Sequence, residues 1–254
     1  MKIASWNING LRARFDFLKI WLADRRPDIV GLQELKMEEK VFPFDDFSDL
    51  GYHTVAYGQK AWNGVAILSK GPIDIVETGL SKQETFGSRR IVADTLGIRI
   101  ANLYCPNGKS LDHADYARKL DWFDSLIESS KSLATRQIIM GDFNIVHSSL
   151  DSHLADKNDK VIFHTSEERA RLTRLFKLGL NDSFRALYPT NRDFSWWDYR
   201  GGAFRFNRGL RIDLILATNE IMNDATIAWI DREYRKKKEG LTASDHAPVV
   251  LEIR

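Results

Sequence analysis

The sequence predicts an α/β fold in which two β-sheets pack face to face and helices cover their outer sides. Three observations predict it: short β-branched apolar runs recur between turn residues, helical patterns lie between some of these runs, and no Pro/Gly/Ser-rich linker or repeat divides the chain. Strands and helices in this alternation bury their apolar faces best in stacked layers. The chain has 254 residues, 43% of them hydrophobic, which is enough for one large core. We therefore expect a single domain over residues 1–254.

Ten apolar runs predict strands, and three periodic segments predict helices. The predicted strands are, in chain order, KIASW, DIVGLQ, HTVAY, GVAILS, IVADTL, IRIANLY, RQIIMG, FSWW, LRIDLILA and PVVLEI. The predicted helices run from Phe17 to Ala23, from Tyr116 to Ser129 and from Ser166 to Leu178. Thr165 or Ser166 can cap the last helix, and Glu168 falls in its first turn. Periodicity does not give the order of the strands in a sheet.

Cysteine content and hydropathy exclude several classes of protein. Cys105 is the sole cysteine, which excludes an internal disulfide and a cysteine-based zinc cluster and favours a reducing compartment. The first residues reach polar Asn7 and Asn9 too early for the apolar core of a signal peptide. No run approaches the roughly 18 apolar residues of a membrane span. We expect a cytoplasmic, monomeric protein with no membrane partner.

Positive charge is concentrated in one window of the chain. The formal net charge is only +2, yet residues 160–212 hold eleven Lys or Arg against five Asp or Glu, a local excess of +6. Within this window arginines alternate with aromatic residues in FSWWDYRGGAFRFNRG. This mixture suits phosphate contacts combined with stacking on bases or sugars. The alternative interpretation is a solvated basic face over an aromatic core.

Polar residues stand where the predicted strands end or begin. Those that follow strand ends are Asn7, Glu34, Tyr104, Asp142 and Asn144, and those near strand starts are Asp213, Asp245 and His246. The carboxyl end of one strand lies beside the amino end of its antiparallel neighbour, so these side chains can converge on one rim of the sheets. Each residue alone has a structural explanation, since Asn and Asp are common in turns. Together they predict one polar pocket.

The side chains of this pocket favour one kind of chemistry. Four carboxylates, two carboxamides, a phenol and one imidazole form an oxygen-rich ligand set that suits Mg²⁺ or Mn²⁺ rather than zinc. Magnesium usually takes some of its ligands from substrate phosphate. One carboxylate can hold the metal and another can deprotonate a water, while amide and phenol donors neutralise the developing charge. The pocket therefore predicts metal-assisted hydrolysis of a phosphate ester.

A collinear series of motifs resembles the exonuclease III family of apurinic/apyrimidinic endonucleases, within the endonuclease/exonuclease/phosphatase superfamily. The motifs are WNINGLRAR, DIVGLQELK, NGVAILSK, SRRIVAD, NLYCPNG, MGDFNI, SWWDYRGGAF, GLRIDLILA and SDHAPVVLEI. The resemblance covers essentially the whole chain. It implies a four-layer α/β sandwich, with two packed mixed β-sheets flanked by helices. It also implies a divalent-metal-dependent DNA repair nuclease that acts on double-stranded DNA at abasic sites, at 3′ ends, or at both.

The resemblance implies roles for the metal and water side of the pocket. Glu34 of LQELK is the expected main metal ligand, with Asn7 of WNING beside it and Asp245 of SDHAP as a further ligand. Asp142 of GDFN is expected to orient or deprotonate the attacking water. Asp151 stands where the family often has a further acid, although its context, HSSLDSH, matches less well.

The phosphate side follows from the same motifs. Asn144 and Tyr104 are expected to hydrogen-bond the scissile phosphate from opposite sides. Asp245 is expected to orient His246, whose imidazole meets a phosphate oxygen. Asp213 resembles an active-site acid that serves either the metal or the phosphate.

Further residues are expected to contact the DNA. Trp196 and Leu210 resemble the apolar walls of a pocket that accepts a flipped abasic sugar, and selection by size suits a nucleotide that has lost its base. Plain core packing is the alternative for Trp196. Arg90 of SRRIV resembles a basic residue near the DNA backbone, and Asn107 of NLYCPNG is a further expected substrate contact.

The chain departs from the family pattern ahead of the predicted third helix. Members commonly carry a small residue followed by Phe before the EER sequence, whereas this chain reads VIFHTSEER and places Phe163 at the small position and His164 after it. If the ring of Phe163 narrows the sugar pocket, trimming of 3′ ends is favoured over incision at internal abasic sites. The alternative is that the ring packs into the core beside the following helix.

Two other function classes fit parts of the pattern. A phosphatase or phosphodiesterase of the same fold, acting on a small or lipid phosphate ester, would share the metal site, but the arginine-rich aromatic window argues against it. A non-catalytic nucleic-acid-binding relative is the second alternative, because fold does not guarantee function. The retained acids and the histidine argue against this second alternative.

Overall fold

In a computed structural model of the protein, which describes residues 1–154 and 160–254, the chain forms two six-stranded β-sheets. The strands are β1 (Lys2–Asn7), β2 (Ile29–Gln33), β3 (His53–Tyr57), β4 (Val65–Ser69), β5 (Asp74–Thr78), β6 (Arg90–Thr95), β7 (Ile98–Tyr104), β8 (Gln137–Asp142), β9 (Leu180–Asp182), β10 (Asp213–Thr218), β11 (Ala225–Ile230) and β12 (Val249–Ile253). The first sheet has the order β11-β12-β1-β2-β4-β3 and the second has the order β5-β6-β7-β8-β10-β9.

Both sheets are mixed, as predicted. In the first sheet β1 lies parallel to β2, and in the second β7 lies parallel to β8. The remaining neighbours are antiparallel. Because parallel neighbours need a crossover connection, a helix follows β1 and another follows β7.

Helices cover the outer faces of the two sheets. The α-helices of the described residues are α1 (Leu11–Arg25), α2 (Phe44–Asp49), α3 (Ala114–Ser129), α4 (Ser166–Lys177), α5 (Ser183–Leu187) and α6 (Asn219–Asp224). The alternation of side chains along β1 shows the layering: Ile3 packs into the apolar cluster between the sheets, whereas Trp6 packs against Phe17 and Trp21 of α1. On the other side, α3 and α4 pack on the second sheet through residues such as Leu126 and Leu172. The predicted four-layer α/β sandwich is confirmed.

In the part of the chain that the structure describes, no helix has both the length and the apolarity that crossing a membrane requires.

The predicted cap of α4 is present, and the capping residue is Thr165. The Thr165 side chain accepts a hydrogen bond from the Glu168 amide, and Glu168 accepts one from the Thr165 amide, which together form a capping box.

One predicted strand is wrong and several short elements were not predicted. The FSWW segment forms no strand; Trp196 makes only isolated bridges with Leu210 and His246. Phe194 and Trp197 of this segment pack into a small separate apolar cluster. The apolar side chains of FSWW therefore stabilise a loop and do not mark a strand. Strands β5, β9 and β11 and helices α2, α5 and α6 were missed. Every residue of β5 is exposed at a sheet edge, so this strand lacks an apolar alternation. Helix α1 begins at Leu11 rather than at Phe17.

The strand register places the predicted polar residues at one rim. Asp213, at the start of β10, lies directly opposite Asp142, at the end of β8, and Tyr104 lies beside Asp142 at the end of β7. Gly141 makes this arrangement possible: a Cβ atom there would lie 1.8 Å from the carbonyl oxygen of Leu103. The β-strands therefore converge on the rim as the sequence pattern predicted.

Candidate active site

Asn7 joins two carboxylates at the strand ends. Its side chain is fully buried at the end of β1, and its Nδ2 atom donates to Glu34 Oε2 and to Asp142 Oδ2, each at 3.0 Å. Both hydrogens of the amide are used, so the amide fixes the separation of the two acids. We call Asn7, Glu34, Asp142, Asp213 and His246 the acidic rim.

Asp142 is a buried acid of the rim, and both of its carboxylate oxygens accept hydrogen bonds. It is 2% exposed, and its Oδ1 atom accepts the backbone amide of Asn144 at 2.9 Å. Burial, and after it the charge of Asp213, raise the pKa of Asp142 to about 7, although His246 opposes them. A carboxyl group with this pKa can accept a proton near neutral pH, as a general base must.

Asp213, and not Asp245, holds the imidazole of His246. Nδ1 of His246 lies 2.8 Å from Asp213 Oδ2, and Nε2 lies 3.9 Å from Asp142 Oδ2. Burial alone would lower the pKa of His246, but the carboxylates, Asp213 first, raise it to about 10. The ring is therefore a cation at neutral pH. The expectation that Asp245 orients His246 is corrected, because successive side chains of an extended segment point in opposite directions.

Asp245 instead connects to the Glu34 side of the site. Its two oxygens accept Asn9 Nδ2 at 2.8 Å and Trp196 Nε1 at 3.0 Å. Asn9 Oδ1 in turn accepts Lys36 Nζ at 2.6 Å, and the same ammonium lies 2.9 Å from Glu34 Oε1. Asn9 and Lys36 were missed as site residues, although both lie within the motifs WNINGLRAR and DIVGLQELK.

The donor set beside Glu34 fits a hard divalent cation. Glu34, Asn9 and Asp245 offer only oxygen atoms, and the Lys36 ammonium already lies between two of them. Among the described residues, Asp142, Asp213 and His246 also come close enough together to share a metal ion. A protonated imidazole has no free lone pair for a metal, however, and Nδ1 of His246 is engaged with Asp213. Glu34 therefore fits a metal ligand better than His246 does.

Tyr104 adds a protonated hydroxyl to the site. Burial, and then the charges of Glu34 and Asp142, raise the pKa of Tyr104 well above its usual range, so the hydroxyl keeps its proton. The guanidinium of Arg89 lies 4.8 Å from the centre of the Tyr104 ring. Tyr104, Arg89 and the exposed Asn107 line one cleft of about 430 Å³ with Glu34. Asn107 therefore lies where a substrate contact was expected.

Arg90 does not face this cleft. It is 6% exposed, its Nη1 atom lies 2.9 Å from Glu77 Oε2, and it donates to the carbonyl of Gly79. The expectation that Arg90 faces the DNA is corrected, because its neighbour Arg89 lines the cleft instead and adjacent residues of an extended chain face opposite sides. Asp151 is also placed differently. It is buried in ion pairs with Arg185 and Arg211 at 2.6 and 2.7 Å.

An apolar cluster flanks the rim. Val146, Leu210 and Ile212 are buried, and the half-buried rings of Phe163 and Trp196 pack against them; we call these five residues the apolar wall. Trp196 reaches the rim, since its ring centre lies 6.5 Å from that of His246. The structure thus brings Trp196, Leu210 and Phe163 together. Phe163 has a φ of +75°, a left-handed conformation that suits a small residue better.

Comparison with known proteins identifies the family. Residues 4–246 match the Endonuclease/Exonuclease/phosphatase family. The chain belongs to this family. It is 37% identical to exodeoxyribonuclease III of Haemophilus influenzae over 100% of both chains, which places it with the exonuclease III branch that the motifs indicated.

Solved structures of the endonuclease/exonuclease/phosphatase family share the whole architecture. The 3′ phosphatase NExo from Neisseria, solved bound to a product DNA hairpin, has a TM-score of 0.96 and 36% identity over 100% of this chain and 99% of its own. An AP endonuclease from Archaeoglobus fulgidus has a TM-score of 0.94 and 33% identity over the same shares. Family members similar to this chain therefore include both a 3′ phosphatase and an AP endonuclease.

Proposed function

We propose that this protein is a divalent-metal-dependent nuclease that hydrolyses phosphodiesters of double-stranded DNA, at abasic sites, at 3′ ends, or at both, in base excision repair. The observation that carries the proposal is the meeting of two groups at one rim: Asp142, a buried acid with a raised pKa, and His246, whose Nε2 lies 3.9 Å from Asp142 Oδ2 and whose Nδ1 lies 2.8 Å from Asp213 Oδ2. The relatives named for exodeoxyribonuclease, AP endonuclease and 3′ phosphatase activity support it.

The rim residues divide the work of hydrolysis. Asp142 orients a water and accepts its proton, since its pKa is near neutral. His246 places a positive charge against a phosphate oxygen, while the Tyr104 hydroxyl and the Asn144 amide donate hydrogen bonds to the developing negative charge. Glu34, with Asn9 and Asp245, would hold Mg²⁺ or Mn²⁺. When bound there, such an ion would supply Lewis-acid neutralisation of the phosphate charge.

Cations on both sides of the rim support DNA as the substrate. One cleft, of about 760 Å³, is lined by Asn9 and by five basic residues, Arg12, Arg14, Lys36, Lys40 and Lys60. The other contains Arg89, Lys109 and Arg118. These cations come from outside the basic window of residues 160–212. Within that window, several arginines are already engaged in ion pairs, including Arg171, Arg185 and Arg211. Cleft cations such as Lys36, Lys109 and Arg118 are also paired with acids, so the clefts add to the window as a source of backbone contacts.

The apolar wall supports acceptance of an abasic sugar. The wall lies beside His246, on the side of the rim where we place the phosphate. An apolar surface of this kind can accept the sugar of a nucleotide that has lost its base.

We also propose that residues 1–254 work as a single, monomeric, cytoplasmic domain. The continuous inter-sheet core and the family match over residues 4–246 support the single domain, and the buried, unpaired Cys105 agrees with a reducing compartment.

The direct test uses two duplexes and the purified protein. One duplex carries a single internal abasic analogue and blocked 3′ ends, and the other carries a recessed 3′ end. With Mg²⁺ we expect incision of the first, trimming of the second, or both, and no cleavage of either in EDTA. Cleavage that persists in EDTA would contradict the metal requirement. Failure to cleave either duplex, combined with hydrolysis of a small phosphate ester, would favour the phosphatase alternative.

A further inference from the structure

A fully buried ion pair lies outside the reacting groups. Lys119 of α3 and Glu168 of α4 are both 0% exposed, and Lys119 Nζ lies 2.5 Å from Glu168 Oε1. Replacing such a pair with apolar residues is often neutral or stabilising, so stability alone is a weak reason for it. Its contacts point to another role.

The pair contacts three loops that carry proposed substrate residues. Besides Glu168, Lys119 Nζ donates to the carbonyl of Asn144 at 2.8 Å and to that of Asn107 at 3.4 Å. Glu168 Oε1 also accepts the backbone amide of Phe163 at 3.1 Å. The three hydrogens of the ammonium group thus reach one carboxylate and two loop carbonyls, and the carboxylate reaches the third loop.

One of these loop residues has a conformation that needs support. Phe163 has a φ of +75°, and a bulky residue keeps a left-handed conformation only when its surroundings hold it. The side chain of Lys119 has little room to move. A Cβ atom placed at Gly108 would lie 3.1 Å from Cδ of Lys119, so this side chain passes close to the loop that carries Asn107.

We propose that Lys119, through its pair with Glu168, is a positioning residue that sets the Asn144 amide against the scissile phosphate and ties the Phe163 and Asn107 loops to it. This inference rests on the proposed nuclease function. Its consequence is that one buried charge pair couples the rate of cleavage, through Asn144, to the shape of the apolar wall, through Phe163.

The test replaces the pair while avoiding an uncompensated buried charge. The double variant Lys119→Met with Glu168→Gln removes both charges, and Gln can still serve in the capping box of α4. Lys119→Gln with Glu168→Gln is the milder variant if the first double variant folds poorly, because it also removes both charges and keeps a hydrogen-bond donor at position 119. Leu126→Ala is the matched control, because Leu126 is a fully buried residue of the same helix that packs in the cluster between α3 and the second sheet.

Single-turnover cleavage of the abasic duplex at saturating protein, and Tm, are measured for each variant. We expect the double variant to be slower by about tenfold or more, since loss of a transition-state donor costs up to about 10³. Lys119→Gln with Glu168→Gln should be intermediate, and Leu126→Ala should lower Tm without changing the rate. In an Asn144→Ala background the double variant should lower the rate no further. A wild-type rate in the double variant, or an effect that adds fully to that of Asn144→Ala, would overturn the inference.

Hydrogen exchange separates this inference from the proposed function. Peptides covering residues 105–109, 143–146 and 161–165 should lose protection together in the double variant and keep it in Leu126→Ala. Unchanged exchange in all three peptides would overturn the positioning role. Absence of DNA cleavage by the wild-type protein would instead overturn the proposed function, and the exchange result would still decide whether the pair holds the three loops.

Discussion

The acidic rim and the apolar wall are neighbours, but they are built in different ways. Most rim side chains stand at strand ends, so their separations follow from strand register; Asp142 and Asp213, for example, face each other across β8 and β10. The wall side chains come from loops, and Phe163 even has a left-handed backbone. Loops tolerate change better than sheet interiors do. Under the proposed function, we infer from this comparison that the sheets fix the chemistry, whereas the loops set the choice of substrate.

The largest effects are expected from the rim. Asp142→Asn and His246→Asn should each slow single-turnover cleavage by about 10² to 10⁴, the usual loss for a general base or a transition-state contact. DNA affinity, measured by fluorescence anisotropy in EDTA, should change little because the cations of the two clefts supply most of the backbone contacts. Near-normal cleavage rates in both variants would show that Asp142 and His246 of the rim do not carry out the reaction.

A smaller effect is expected when the metal side of the rim is changed. Glu34→Gln should raise the Mg²⁺ concentration needed for half-maximal rate by about tenfold or more, since even changes around a metal ligand commonly cost that much affinity. Asp213→Asn is the comparison, because it should lower the rate at saturating Mg²⁺ without this shift. If Asp213→Asn shifts the Mg²⁺ titration and Glu34→Gln does not, the ion is held by the Asp142, Asp213 and His246 group instead.

The wall is expected to change selectivity rather than rate. Phe163→Ser should raise abasic-site incision relative to 3′ trimming, and an effect of 1.4 kcal/mol on access to the pocket would change that ratio about tenfold. Both activities and the Tm of the variant are measured. An unchanged ratio with a large fall in Tm would mean that the ring serves only packing, which for a buried Phe is worth about 3 to 5 kcal/mol.

The smallest effect is expected at the edge of the cleft, where two adjacent arginines form a matched pair. Arg89→Ala should weaken DNA binding and reduce the slope of log affinity against log salt by about 0.9 if it contacts one phosphate. Arg90→Ala should leave that slope unchanged and lower Tm, because Arg90 is buried against Glu77. The reverse result would restore Arg90 as the DNA contact.

Strand ends could be predicted from the sequence because each is marked locally. An apolar run that ends at Asn7, Tyr104 or Asp142 indicates both a strand and a polar site residue at the end of that strand. The structure places these three residues close together. The wall residues Trp196 and Leu210 were also found, through family motifs, although the strand predicted around Trp196 was wrong. Local patterns and motifs thus predicted most of the residues that meet at the site.

Contacts between distant segments could not be predicted in this way. The partner of His246 is Asp213, 33 residues away in sequence, and nothing local distinguishes it from the adjacent Asp245. Whether Arg89 or Arg90 faces the cleft depends on which residue begins the alternation of side chains in β6. A shift of one residue would move every side chain of the strand to the opposite face of the sheet. The Lys119–Glu168 pair depends on how α3 and α4 pack, which neither helical pattern encodes alone.

The ratio of the two activities in Asp142→Asn tests most directly whether the rim carries the chemistry and the wall the selectivity. Abasic-site incision and 3′ trimming are measured on the two duplexes under single-turnover conditions, beside the wild-type protein. Since both reactions need the same proton acceptor, both rates should fall by a similar factor, and their ratio should stay at the wild-type value. Loss of one activity with retention of the other would contradict a common reaction centre at the acidic rim.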